Sequence, residues 1–251
     1  MKNLLDMTGK VVLITGGSRG LGRAMSLGFA EQGADVAVVS RKIESCEAVA
    51  KEIRAMGRRA FTYGCHVGHW AGLDGLVDAV YNHFGKVDVL INNAGLSPVA
   101  PSLVETSEAL FDTVIGVNFK GPFRLSALVG SRMAAGTGGC IINISSRAAV
   151  SPTAYTAAYG GAKAALNTMT RAFAYEYGPK VRVNCIQCGP FHTDVSKSWS
   201  RSAEFAARAK ATIALQRAGD PEEVVSTALY LASDASSFTT AAVIRVDGGS
   251  P

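Results

Sequence analysis

No apolar run in the 251-residue sequence approaches the ~20 residues a membrane-spanning helix needs. The uninterrupted runs are short, such as "VVLI" at 11–14. The opening "MKNLLDMTGK" lacks the apolar stretch of a secretory signal and meets turn residues at once. Both absences lead us to expect a soluble, cytoplasmic protein that binds no membrane. Five cysteines, an odd number in so long a chain, argue against a disulfide framework. The net charge of +5 comes without a basic stripe, the densest clusters being only Arg41-Lys42 and Arg58-Arg59. Nucleic acid is therefore not the expected partner, whereas a modest positive excess suits a ligand that carries phosphates. Linkers, low-complexity tracts and internal repeats are missing too, so residues 1–251 read as one domain.

What is present is an alternation. Val- and Ile-rich stretches at 10–15, 34–40, 58–64, 87–92, 140–145, 181–186 and 242–246 read as strands. Several are almost continuously apolar, as strands covered on both faces are. Between them lie helix-period stretches at 20–32, 44–56, 71–84, 107–134, 155–177 and 221–232, the last with Asp220 as N-cap and Pro221 in first position. The order implies an α/β, Rossmann-type, doubly wound parallel sheet of seven strands with helices on both faces. Residues 190–215 form the longest connection, placed where open sheets carry substrate loops or lids.

"VVLITGGSRGLGRAM" sets Gly16, Gly20 and Gly22 between the first strand and the first helix. Glycines there let a turn close and bring backbone near a pyrophosphate, which then sits on the helix N-terminus. The second strand ends in "VVSRK", with Ser40 and Arg41 and no carboxylate. An acidic residue would bind a free ribose hydroxyl and repel a 2′-phosphate. Arg41, Ser40 and Arg19 of the glycine loop instead suit that phosphate, so the expected cofactor is NADP(H).

Farther on, Tyr159 and Lys163 stand four apart in a helical pattern and so share a face. A nearby ammonium favours the phenolate, which would make the phenol an acid or base for a carbonyl or an alcohol. Ser145 and Ser146 end a strand, with Ser146 thirteen residues before Tyr159.

In these motifs the chain resembles the short-chain dehydrogenase/reductase family. Thr15-Gly16-Gly17-Ser18-Arg19-Gly20-Leu21-Gly22 fits the family fingerprint Thr-Gly-x-x-x-Gly-x-Gly, and "NNAG" (92–95), "VNFKG" (117–121) and "VDGG" (246–249) follow in order. The resemblance implies that Ser146 orients the substrate oxygen and Tyr159 exchanges its proton. Lys163 would tune the tyrosine and hold the nicotinamide ribose, while Asn118 holds a water for proton relay. It further implies cofactor contacts from Ser18, Leu21, Val67, Asn93, Ala94, Gly95 and Gly189, from the backbone of Phe191 and from the hydroxyl of Thr193. It also implies a homotetramer or homodimer, with Gly160-Gly161-Ala162 leaving room for a neighbouring subunit's helix.

Four positions depart from the family pattern. Cys188 precedes Gly189-Pro190 where Pro-Gly is usual, which places its thiol near the nicotinamide. A metal site from Cys185, Cys188 and His192 is disfavoured, because no second ligand pair is spaced for it. His66 replaces an aspartate that binds the adenine amino group, a bond a neutral imidazole can accept, unless backbone alone lines that pocket. Ala162 stands in place of a frequent serine, and Ala241 in place of a frequent glycine.

The expected function is NADPH-dependent interconversion of a carbonyl and a secondary alcohol on a small molecule. A 3-oxoacyl thioester reductase is a variant, with Arg124, Arg132 and Arg171 as candidate contacts to a carrier protein. A non-catalytic NADP(H)-binding regulator is the rival from another class. An enoyl reductase is disfavoured because that branch spaces its tyrosine and lysine by seven. The lid cations Lys197, Arg201 and Arg208, with Trp199 and Phe205, leave the substrate open between apolar and anionic.

Overall fold

The computed structural model describes residues 4–251. Seven strands, β1 (Val11–Thr15), β2 (Asp35–Ser40), β3 (Ala60–Gly64), β4 (Val89–Asn92), β5 (Gly139–Ser146), β6 (Val181–Cys188) and β7 (Val243–Val246), form one sheet in the order β3-β2-β1-β4-β5-β6-β7. Every neighbouring pair is parallel. Among the described residues eight α-helices cover it: α1 (Gly20–Glu31), α2 (Ile43–Ala55), α3 (Gly72–Phe84), α4 (Glu108–Ile115), α5 (Gly121–Ala135), α6 (Ala157–Tyr177), α7 (Ala203–Thr212) and α8 (Val225–Ala232).

Alternation along each strand divides the core in two. Val12 and Ile14 point to a layer with Met25 and Phe29 of α1, Val49 and Ile53 of α2, and Leu229 of α8. Val11 and Leu13 point to the opposite layer with Leu76 of α3, Val129 of α5 and Leu166 of α6. With no face left for water, β1 has only apolar residues until Thr15, whose hydroxyl accepts hydrogen bonds from the Asn93 and Ala94 amides at 3.1 Å each. Each large side chain fully buried in these layers contributes about 1.5–3 kcal/mol.

Strand order reverses between β1 and β4, so the crevice beyond their carboxyl ends is where such sheets bind ligands. The expected helix start at Asp220 is present, with Asp220 and Glu223 closing a reciprocal cap around Pro221. A 3-10 turn, Pro221–Val224, then leads into α8.

Two elements differ from the pattern-based expectation. The continuous helix expected over 107–134 is interrupted by a π-helical turn, Gly116–Lys120, between α4 and α5. The connection 190–215 holds a helix of its own, α7, capped by the Ser202 hydroxyl, which accepts from the Phe205 amide at 3.0 Å. No described helix is long and apolar enough to cross a membrane.

Candidate active site

The loop between β1 and α1 is shaped by its glycines. Gly16 and Gly20 have φ of +66° and +52°, and a Cβ on Gly22 would overlap the Gly16 carbonyl. Asn93 braces this turn, its Nδ2 donating to the carbonyls of Thr15 at 2.9 Å and Gly16 at 3.2 Å. The side chain of Thr193 lies against Gly20, whose Cβ would stand 3.3 Å from it. The loop after β6 therefore closes over the opening of α1. At the end of β2, Ser18 Oγ donates to Ser40 Oγ at 3.0 Å. Arg19 and Arg41 beside them are exposed, and their guanidiniums make no hydrogen bond or ion pair among the described residues.

These features fit a dinucleotide that carries an extra phosphate. Backbone is free to approach a pyrophosphate at the helix N-terminus, and two unpaired guanidiniums flank paired hydroxyls. Every cofactor-binding residue expected from sequence, from Gly16 through Ser18, Arg19, Gly20, Leu21, Gly22, Ser40, Arg41, His66, Val67, Asn93, Ala94 and Gly95 to Gly189, Phe191 and Thr193, lines one cleft of about 1560 Å³.

Ser146, Tyr159 and Lys163 line the same cleft. β5 runs two residues past its last apolar position and ends on Ser146, paired in register with Cys188 of β6. Ser146 Oγ accepts from the Ala148 amide at 3.2 Å. Lys163 is 3% exposed, and its Nζ donates to the carbonyl of Ile144 at 2.8 Å. Burial pushes its ammonium down to about 8. The ammonium stands 5.8 Å from the Tyr159 ring centroid.

The sequence suggests that Lys163 lowers the tyrosine pKa. In the structure burial dominates and raises it, with Ser146 as the opposing influence.

Asn118 does not line the cleft; it is fully buried one layer behind. Its Nδ2 donates to the carbonyls of Leu96 at 2.8 Å and Val114 at 2.9 Å. A Cβ on Gly95 would stand 3.1 Å from Asn118 Oδ1 and 3.7 Å from Lys163 Nζ, so both groups converge on that glycine. The π-helical turn is what presents Asn118 there.

His66 differs from expectation in its hydrogen bonding. Its Nδ1 already accepts from the Gly68 amide at 3.2 Å, so in the neutral ring Nε2 carries the proton and donates. Burial, with His69 and Arg41 nearby, lowers its pKa. An adenine amino group would find no acceptor on this ring. Cys188 lines the cleft with its thiol pushed up to about 12 by burial. Cys185 donates to Asn167 at 3.4 Å, and His192 Nδ1 lies 3.3 Å from Ser200 Oγ. Cys185 and His192 therefore point to different partners.

Sequence reasoning passed over Arg147, next to Ser146 and also on the cleft wall. Its Nη1 donates to Ser151 Oγ at 3.0 Å and to the Pro251 carbonyl at 2.7 Å. Its position beside the strand-end serine was the available signal.

Gly160 also has a local explanation. A Cβ there would lie 2.7 Å from the Ala148 carbonyl, so α6 approaches the loop after Ser146 only because this residue lacks a side chain. Gly161 faces open space.

A family model described as enoyl-(acyl carrier protein) reductase matches residues 16–250. The chain is 35% identical over 246 residues to the 3-oxoacyl-(acyl-carrier-protein) reductase of Thermotoga maritima, covering 98% of this chain and 99% of that protein. A 7α-hydroxysteroid dehydrogenase complexed with NADH and 7-oxoglycochenodeoxycholic acid superposes with a TM-score of 0.93 at 32% identity, covering 100% of this chain and 98% of the other. The L-sorbose reductase of Gluconobacter frateurii, complexed with NADPH and L-sorbose, gives 0.92 at 28% identity, with 98% of each chain covered. On the strength of these matches and of the motifs they span, the chain belongs to the short-chain dehydrogenase/reductase family of oxidoreductases.

Proposed function

We propose that the protein interconverts a carbonyl and a secondary alcohol with NADP(H), with Tyr159 as the acid and base. The observation that carries this reading is the meeting of Ser146, Tyr159 and Lys163 on the wall of the cleft that also contains the glycine loop. Bound there, the nicotinamide would supply or accept the hydride. Ser146 orients the substrate oxygen, the Tyr159 hydroxyl gives it a proton during reduction, and Lys163, charged at pH 7, stands ready to replenish that proton. Asn118 fixes the Leu96 backbone and the space beside Lys163.

Preference for NADP(H) rests on Arg19 and Arg41, both free to pair with a phosphate. The NADPH bound to the sorbose reductase is consistent with that choice, while the NADH bound to the steroid dehydrogenase shows that relatives use both cofactors. The enoyl reductase description of the family model is not carried over, because Tyr159 and Lys163 stand four apart. A carrier-protein substrate is disfavoured as well. Arg124 pairs with Asp74 at 2.6 Å and Arg132 with Asp78, leaving only Arg171 free among the three candidates.

We also propose a homo-oligomer, since Phe238, Phe111 and Phe123 are exposed apolar side chains. Sedimentation velocity tests that point, a monomer at micromolar concentration being the contrary result. For the function, wild-type protein is titrated with NADPH and NADH and then assayed for NADPH oxidation against diketones, quinones, aldoses and a 3-oxoacyl thioester. Turnover of a carbonyl with tighter NADPH binding supports the proposal. NADPH binding without turnover of any carbonyl, or of alcohols with NADP⁺, favours the regulator.

A further inference from the structure

We propose that Arg208 recognises a carboxylate on the substrate, so that the protein acts on oxo or hydroxy acids in preference to neutral carbonyl compounds. The inference rests on the oxidoreductase reading above and names its substrate class.

The fold separates the three lid cations. Lys197 and Arg201 line a small pocket of about 260 Å³ behind the glycine loop, together with Arg23 and Glu222. Arg208 instead lines the main cleft. On α7 it shares a face with Phe205 and Thr212, three residues before it and four after it. Its guanidinium carbon lies 5.3 Å from the Phe205 ring centroid, which holds it over an apolar surface. The guanidinium makes no hydrogen bond or ion pair among the described residues.

Phe205, Arg208 and Thr212 of α7 line the same cleft as Ser146 and Tyr159. Beyond the end of α7, the Leu215 amide donates to the Gly248 carbonyl at 2.9 Å. Three residues after Gly248, the Pro251 carbonyl accepts from Arg147 at 2.7 Å, and Arg147 follows Ser146 directly. Arg147 and Arg208 both line the cleft, and of these two only Arg208 has an unpaired guanidinium. The only side-chain carboxylate on the cleft wall among the described residues is Asp194, which also borders the pocket behind the glycine loop. Asp247 is turned to Arg245, at 2.7 Å. An unpaired guanidinium on an aromatic face, in a cleft with apolar walls from Leu96, Trp199 and Ile213, binds a planar carboxylate through paired hydrogen bonds.

The test is a ladder of oxo acids, whose ketone stands two to five methylenes from the carboxylate, each paired with its methyl ester. Wild type, Arg208→Met and Arg208→Lys are compared with NADPH, and cofactor binding serves as the folding control. Wild type should favour the best acid over its ester by about 10- to 100-fold in kcat/KM, mostly through KM. Arg208→Met should abolish that ratio and Arg208→Lys restore part of it. Equal use of acid and ester by wild type, or an unmoved ratio in Arg208→Met, overturns the inference and leaves the reductase reading standing. If wild type turns over no carbonyl, the reductase reading fails instead. Thermal shifts then decide the anion site: stabilisation of the NADPH complex by the acids that is lost in Arg208→Met upholds it, and shifts that are absent or equal overturn it.

Discussion

The ammonium of Lys163 lies 2.8 Å from the carbonyl oxygen of Ile144, so a buried cation is tied to the β5 backbone two residues before Ser146. The contact fixes the lysine where a proton donor is needed, at a cost in desolvation.

Lys163→Met removes the charge and keeps most of the side-chain volume. The variant should be inactive yet more stable at pH 7, by on the order of 1 kcal/mol after loss of the Ile144 hydrogen bond. Folded Lys163 releases its proton near pH 8, against 10.5 for its ordinary value. Between those values the unfolded chain binds more protons, so wild-type stability gains from this group as pH rises. Urea denaturation at pH 7 and pH 10 should therefore show the gap between variant and wild type narrowing. A variant less stable than wild type at pH 7 would contradict the assignment.

The adjacent glycines of α6 should behave oppositely. Gly160→Ala forces a methyl group against the Ala148 carbonyl and should destabilise by about 1–3 kcal/mol. Gly161→Ala meets open space within the chain and should gain up to about 1 kcal/mol from helix propensity. Denaturation midpoints of the two variants check this. A neighbouring subunit packed on Gly161 would reverse the second sign.

Ala241 has φ of +60°, a left-handed backbone that costs a non-glycine residue about 1–2 kcal/mol. Glycine relieves that strain but loses more entropy on folding. Ala241→Gly should stabilise by a net amount of about 0.5–1 kcal/mol, read as a rise in melting temperature. An unchanged or lower value would mean that packing of the methyl group outweighs the strain.

Arg41→Ala should weaken NADPH binding about 10- to 100-fold, the worth of a charge-assisted contact, and leave NADH binding within about threefold. Fluorescence titration of both cofactors measures it. Equal losses for the two would show that Arg41 does not meet the 2′-phosphate.

Much of this was legible in the sequence because the signals are local. Runs such as Val11–Ile14 announce strands buried on both faces, and the glycine loop, Ser40-Arg41 and Tyr159-x-x-x-Lys163 each carry their chemistry in their spacing. The π-helical turn that presents Asn118 leaves no mark in composition, so the sequence shows a uniform helix where the chain widens by a turn. α7 was hidden because it buries only Phe205 and Ala209, too few for an apolar stripe, although Ser202 is a readable cap. The constraint on Gly160 comes from a carbonyl twelve residues earlier and appears only once the chain is folded. The tautomer of His66 was equally out of reach, since it depends on the Gly68 amide turning back onto the ring.

The most direct test of the central claim is single-turnover NADPH oxidation by wild type and Tyr159→Phe, with the best carbonyl substrate from the panel. The phenylalanine removes only the hydroxyl that donates the proton. The rate in Tyr159→Phe should be lower by about 10²- to 10⁴-fold with NADPH affinity retained. A Tyr159→Phe enzyme that reduces the same carbonyl within a few-fold of the wild-type rate would contradict it.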